Sequence, residues 1–260
     1  MIAASKPSTI RFKITRQDGP DATPYVEVFE IDYRPNMNVI SSLQDIAANP
    51  VTVEGRNTTP VVWDCNRPEE VCGACTMVIN GRARQSCSAL VDDLLASTGT
   101  NEIVLEPMSK FPVVRDLWVD RQRMFNSLKA VKAWVPVDGT HALGGGPLES
   151  PEEQEVRYNL SRCMTCGCCL EACPQFDLDN DFLGAQTIAQ VLYFNMHETG
   201  ARLKDERLDV MEGPGGVSDC GNAQNCVKVC PKEIELTEAI GKVGRQTTVH
   251  AIKQFFSGKK

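Results

Sequence analysis

Cys163-Met-Thr-Cys166-Gly-Cys168-Cys169-Leu-Glu-Ala-Cys173-Pro174 is the stretch from which the rest of this chain can be read. Cys163, Cys166, Cys169 and Cys173 fall at C-x2-C-x2-C-x3-C, with Pro174 next. Two-residue spacers let successive backbone turns aim three thiolates at three corners of one [4Fe–4S] cubane. Where two clusters share such a domain, the cysteine before proline serves the other cluster. Zinc is the rival reading, but zinc sites favour paired C-x2-C elements closing on one tetrahedral ion. Cys168 falls outside the spacing and reads as a packed or free thiol.

A second copy follows at Cys220-Gly-Asn-Ala223-Gln-Asn-Cys226-Val-Lys-Val-Cys230-Pro231. It fits the same template except that Ala223 stands where the second cysteine belongs. Exchange of the pre-proline cysteines then assigns Cys163, Cys166, Cys169 and Cys230 to a complete [4Fe–4S] site. Cys220 and Cys226 take Cys173, leaving three thiolates and an alanine that offers no ligand. A cubane without its fourth protein ligand readily lacks that iron, so the second site is expected to hold [3Fe–4S]. The alternative is a [4Fe–4S] cluster completed by water or another donor.

Upstream lies a third group, Cys65-Asn-Arg67-Pro-Glu-Glu-Val-Cys72-Gly-Ala-Cys75, with Cys87 further on. The plant-type [2Fe–2S] pattern is C-x4-C-x2-C plus a distant cysteine. Cys72, Cys75 and Cys87 fit it. The x4 position is Arg67, which does not ligate iron, and Cys65 comes two residues early. A loop can absorb two residues, so Cys65 is the expected fourth ligand, with Asp64 or another oxygen donor as the alternative.

These three groups hold eleven of the twelve cysteines. Disulfides are the usual reading of so many, but they belong to oxidising compartments and small secreted scaffolds. The start, MIAASKPSTIRFKITRQDG, has no apolar core of the kind a secretory signal needs. No apolar run nears the ~20 residues that span a bilayer. The net charge of −7 argues against a nucleic-acid partner. At 260 residues the chain has room for two domains of roughly 100–150 residues.

The first of these, over 1–115, reads as strands around one helix. Thr9–Thr15 and Tyr25–Ile31 alternate apolar and polar residues across a turn containing Asp18, Gly19 and Pro20. Asn38 is an N-cap signal for a helix ending near Asn49–Pro50. Thr76–Ile79 and Arg82–Ser86 flank Asn80–Gly81, a strong hairpin dipeptide, and Asn101–Leu105 is a last strand. Over 116–260 the pattern turns helical: Leu117–Trp134, Glu152–Ser161, Ala185–His197, Arg202–Met211 and Thr237–Phe256, with a loop at Pro136–Pro147. His141, His197 and His250 fit no ligand spacing, and Trp118 and Trp134 read as packing between domains or against a partner. Lys253, Lys259 and Lys260 read as a solvated tail, and Gly144–Gly146 as a loop with no nucleotide-site context.

Over nearly its whole length the sequence resembles the iron–sulfur subunit of succinate dehydrogenase/fumarate reductase. The resemblance is carried by YRPNMNVISSLQDI, EEVCGACTMVINGRARQSC, KFPVVRDLWVDR, SRCMTCGCCLEACP and CGNAQNCVKVCP. It looks most like the menaquinone-linked variant of low-GC Gram-positive bacteria. That implies an α+β fold, with a plant-type ferredoxin (β-grasp) domain and then an all-α bacterial-ferredoxin-like domain. It also implies a flavoprotein subunit with covalent FAD and a membrane-anchor cytochrome b carrying haem b, with menaquinone as acceptor near Pro174. The chain would sit peripherally on the cytoplasmic face of the membrane. It would pass electrons for the oxidation of succinate while doing no substrate chemistry itself. A fumarate reductase running in reverse and a free soluble ferredoxin-like carrier are the alternatives. Ubiquinone-reducing relatives place tryptophan and histidine where this chain has Leu178 and Gly221, which speaks against a ubiquinone pocket of that kind.

Overall fold

The computed structural model describes residues 7–136 and 148–258. His141, Gly144–Gly146, Lys259 and Lys260 lie outside them. The chain divides into two units, Met1–Asp120 and Arg121–Lys260.

In the first unit, β1 (Thr9–Arg16) and β2 (Tyr25–Asp32) pair antiparallel, from Thr9 opposite Asp32 to Arg16 opposite Tyr25. β3 (Thr76–Ile79) and β4 (Arg82–Gln85) form the second hairpin. Asn80 and Gly81 turn it at φ 49° and 75°, the left-handed pair that a tight two-residue hairpin requires. β5 (Glu102–Glu106) joins the two hairpins, parallel to β1 and antiparallel to β3, giving the order β2-β1-β5-β3-β4. Alternation puts Ile10, Phe12 and Ile14 on one face of β1, fully buried. They meet Leu43 and Ile46 of α1 (Val39–Ala48) in the core.

Helix α1 starts where the sequence signals it. Asn38 Oδ1 accepts from Ser41 N–H at 2.9 Å, and Ser41 Oγ accepts from Asn38 N–H at 3.1 Å. This reciprocal capping satisfies two amides that the first turn leaves open. The unit has a second helix that the sequence reading lacked, α2 (Val91–Thr98). Its N-cap is Leu90, which makes no side-chain cap, so no start signal precedes it. The expected helix from Leu117 also begins later. Val113–Arg115 (β6) and Trp118–Val119 (β7) form a small hairpin first, and α3 spans Gln122–Ala130. Asp116, at φ 47°, makes the turn that excludes helix there. The expected break at 115/116 stands within this hairpin.

A buried charge network ties the unit together. Arg16 Nε donates to Asp116 Oδ1 at 2.8 Å and Arg16 Nη1 to Glu27 Oε2 at 2.6 Å. Arg16 and Asp116 are wholly buried and Glu27 nearly so. Asp116 also accepts from the amides of Gln17 and Val62. Arg16 Nη2 reaches Thr59 O and Oγ1. The segment leading to Cys65 is thereby fixed to the sheet.

The second unit is helical, with α4 (Pro151–Ser161), α5 (Cys168–Glu171), α6 (Gly184–Met196), α7 (Lys204–Glu212), α8 (Asn225–Val229) and α9 (Leu236–Ser257). Ser150 Oγ caps α4 by accepting from Glu153 N–H, with Pro151 in the first turn. Helix α6 is central: it buries Ile188, Ala189, Val191 and Leu192 and packs on α9, α7 and α4. Helices α5 and α8, of four and five residues, are too short to show a hydrophobic period, so the cysteine motifs read as loop there. Among the described residues no helix is long and apolar enough to cross a membrane.

Arg207 of α7 is fully buried and donates to Lys132 O, Trp134 O, Gly200 O and Asn195 Oδ1, at 2.7–3.1 Å. All four acceptors are neutral, and burial lowers the pKa of its guanidinium. Replacing Arg207 with alanine strands those acceptors and is expected to cost on the order of 3 kcal/mol. Lysine cannot span them and should recover little. Urea unfolding followed by helical circular dichroism reads the effect, and an unchanged midpoint would refute it.

Candidate iron–sulfur sites

The first cysteine group lies on the loop between α1 and β3 and just beyond β4. Cys75 and Cys87 are buried, Cys72 is half-buried and Cys65 is exposed. Left-handed turns at Glu70 (φ 54°) and Gly73 (φ 69°) bracket Cys72. Thr76 Oγ1 fixes the second turn by donating to Gly73 O at 2.9 Å. The carbonyl of Cys75 accepts from Ser86 N–H and Oγ–H, joining the roots of Cys75 and Cys87. Asn38, besides capping α1, donates through Nδ2 to Cys87 O at 2.9 Å. One side chain thus anchors both the helix and the distant cysteine.

The thiols of this group act on one another. The Cys87 thiol is pushed up to about 12, first by burial and then by the hydrogen bond and charge of Cys75. Cys65 is raised by burial and by the charges of Cys75, Cys72 and Asp64. The charges of Cys72 and Cys75 thus reach Cys65 although it comes early in the motif. Arg67, at the position the spacing reserves for a ligand, offers only its carbonyl, which accepts from Cys72 Sγ at 3.7 Å. Raised thiol pKa values mean that metal binding must displace protons, as thiolate ligation generally does.

In the second unit Cys163, Cys166, Cys169 and Cys230 line one cavity, closed by Pro231 and Ile234. Cys163 is pushed up to about 11, first by burial, with the Thr165 N–H opposing and the charges of Cys166 and Cys230 adding. Burial also raises Cys169, followed by the charges of Cys166, Cys163, Cys230 and Cys226. Cys166 is the exception, held down to about 7. A hydrogen bond with Cys168 is the largest cause, working against burial, and backbone N–H groups and the charge of Arg121 assist. Cys168 is fully buried, as a packed thiol should be.

The third set is smaller. The Cys226 thiol is raised first by burial, and the charges of Cys173 and Cys220 add to this. Asn225 Nδ2 donates to Ala172 O at 3.1 Å, holding the start of α8 beside Cys173. Ala223 is exposed. Both motifs share a backbone signature that spacing alone does not reveal. Thr165 (φ 52°) and Gly167 (φ 91°) flank Cys166, and Asn222 (φ 53°) and Gln224 (φ 60°) flank Ala223. Left-handed backbone at a residue other than glycine costs of order 1–3 kcal/mol. Its repetition marks Ala223 as the structural counterpart of Cys166.

Among the described residues no three His, Cys, Asp or Glu side chains converge closely enough to hold a single metal ion. In a cluster, sulfides and several irons lie between the thiolates, so convergence on one point is not required of its ligands.

His197 serves as a local cap, its Nδ1 accepting from Gly200 N–H at 3.1 Å, while His250 is buried with Nε2 2.8 Å from Asp209. Trp118 and Trp134 are each more than 40% exposed, so neither is a core residue within its unit. After Cys173, Arg123 shapes the next loop by donating to Asp177 O, Asn180 O and Phe182 O and lying 4.2 Å over Phe176. Pro174 and Leu178 are exposed on that loop. A Cβ at Gly221 would come within 2.6 Å of Gln175 Nε2, so a larger residue there requires Gln175 to move.

A mixed-sheet domain carrying four cysteines, followed by a helical domain carrying eight, four of which line one cavity, has the make-up of an iron–sulfur electron-transfer protein. Residues 11–126 match the 2Fe-2S iron-sulfur cluster binding domain family and residues 159–234 the 4Fe-4S dicluster domain family. The chain is 56% identical over 256 residues to the succinate dehydrogenase iron-sulfur subunit of Bacillus subtilis, covering 98% of this chain and 99% of that one. It is 32% identical over 193 residues to the fumarate reductase iron-sulfur subunit of Mycobacterium tuberculosis, covering 74% and 75%. A chain of the Mycobacterium smegmatis Sdh1 complex in the apo form shares the fold, with a TM-score of 0.74 at 19% identity over 93% and 96% of the two chains. The chain belongs to the family of succinate dehydrogenase and fumarate reductase iron–sulfur subunits.

Proposed function

We propose that this chain is the electron-transfer subunit of a membrane-bound succinate:quinone oxidoreductase, working in the direction of succinate oxidation. Cys65, Cys72, Cys75 and Cys87 hold a [2Fe–2S] cluster, and Cys163, Cys166, Cys169 and Cys230 hold a [4Fe–4S] cluster. Cys173, Cys220 and Cys226 hold a [3Fe–4S] cluster. The observation that carries this reading is which thiols feel one another's charge. Cys65 feels Cys72 and Cys75, Cys87 feels Cys75, Cys163 and Cys169 feel Cys166 and Cys230, and Cys226 feels Cys173 and Cys220, with Cys226 also reaching Cys169. This supports the exchange of Cys173 and Cys230 between the two motifs. The four-thiol cavity supports the second set in particular.

The clusters, when bound, supply one-electron centres. The chain's own residues supply thiolates, burial and spacing, and no group on it acts on succinate. Its partners in this reading are a flavoprotein subunit with covalent FAD and a membrane-anchor cytochrome b with haem b, at the cytoplasmic face of the membrane. Menaquinone is the acceptor, in the vicinity of Pro174. High identity to a succinate dehydrogenase subunit along the whole chain supports the direction. Leu178 and the Gln175-crowded Gly221 support a quinone contact unlike that of ubiquinone-reducing relatives.

Purification from membranes tests the assembly. The full chain should co-purify with a flavoprotein and a haem-bearing membrane subunit, and succinate should bleach its iron–sulfur absorption. Recovery of the chain alone in the soluble fraction, with centres that succinate does not reduce, would instead establish a free ferredoxin-like carrier.

A further inference from the structure

Arg121 belongs to no cysteine motif, yet it reaches the one at Cys163–Pro174. It stands immediately before α3, half-buried, and its Nη1 donates to Thr165 O at 3.2 Å across 44 residues of sequence. Thr165 is the left-handed residue directly before Cys166. A β-branched side chain disfavours that conformation, so the turn persists only where its surroundings hold it. The bond from Arg121 is one such hold. The same bond sets the guanidinium's positive charge against the residue next to Cys166.

We propose that Arg121 is a positioning residue for the [4Fe–4S] centre, pinning the Thr165 turn and presenting a permanent positive charge to Cys166. The proposal rests on the assignment of Cys166 to that centre. Reduction adds one electron to the cluster and no proton or bond change at the protein. A fixed cation beside one ligand therefore stabilises the reduced form more than the oxidised one. Cluster potentials respond to net charge and to hydrogen bonding around the sulfurs, and a guanidinium stays charged at every working pH. Lysine would keep the charge without the planar fork, and glutamine would keep a donor without the charge.

The test is an EPR-monitored redox titration of the assembled complex carrying Arg121→Gln or Arg121→Lys, reading all three centres. Arg121→Gln should lower the reduced-to-oxidised ratio of the [4Fe–4S] centre at fixed poise about tenfold, which is 59 mV for a one-electron couple. The other two midpoints should stay in place. Arg121→Lys should keep the ratio within about threefold of the parent, by retention of the charge. An unchanged [4Fe–4S] midpoint in a fully loaded Arg121→Gln complex would overturn the proposal, as would an equal shift of all three centres. Should Arg121→Gln fail to load the cluster, a loaded Arg121→Lys complex decides: a parental midpoint supports the proposal and a tenfold shift refutes it. Absence of any [4Fe–4S] signal from the parent complex would instead refute the ligand assignment.

Discussion

Ala223→Cys is expected to abolish the three-iron signal of the oxidised protein and replace it with a second [4Fe–4S] centre visible on reduction. The expectation follows from geometry as well as from spacing. Asn222 and Gln224 hold the left-handed conformations that Thr165 and Gly167 hold around Cys166, so the backbone at position 223 already has the shape that presents a ligand. Ala223 is exposed, and one sulfur added there displaces no core atom. Asn225, bonded to Ala172 O, keeps Cys173 near the site in either case. The change should be complete, because a fourth thiolate fills the corner whose absence leaves an iron without a protein ligand. The substituted protein should also bind one more iron per chain. A three-iron signal that survives the substitution undiminished would show that Ala223 does not specify this centre.

The second large effect is on stability. Asp116→Ala is expected to destabilise the first unit by about 3–5 kcal/mol, the usual result of removing one partner from a buried ion pair. Arg16 would lose its contact at Nε, and the amides of Gln17 and Val62 would lose their acceptor. Alanine also tolerates φ 47° less well than aspartate does. Against a total stability of roughly 5–15 kcal/mol for a domain, such a loss is severe. It should be felt at the [2Fe–2S] centre, because Thr59–Val62 leads directly to Cys65. Urea titration of the full chain, following [2Fe–2S] absorption, should show the midpoint falling sharply for alanine and partly recovering for Asp116→Asn. Equal midpoints for parent and alanine variant would refute the role given to the network.

What could be read in the sequence divides along physical lines. Alternation exposed β1 and β2, the Asn80–Gly81 dipeptide exposed the β3–β4 hairpin, and Asn38 exposed the start of α1, since each signal is local. The proposed cysteine sets come from local spacing too, because cluster ligation demands fixed spacings and the pre-proline exchange is a regular feature of such domains. Helix α2 was hidden by a leucine at its N-cap. The β6–β7 hairpin was hidden because Leu117 falls in helical register with Met124, Leu128 and Val131, and nothing local shows that Asp116 is left-handed. The parallel pairing of β1 with β5 and the Arg16–Asp116 bond, 100 residues apart, leave no local trace. Nor does the reach of Arg121 to Thr165. The left-handed turns at Thr165, Asn222 and Gln224 fall on residues that do not announce them, unlike a glycine.

In the proposed reading eleven of these cysteines hold three different clusters, with Ala223 defining the three-iron one. Low-temperature EPR of the complex as isolated and after reduction tests it directly. The oxidised sample should show a three-iron signal, and reduction should remove it and bring up a [2Fe–2S] signal. An oxidised sample silent in the three-iron region, with two [4Fe–4S] signals on reduction, would contradict the claim.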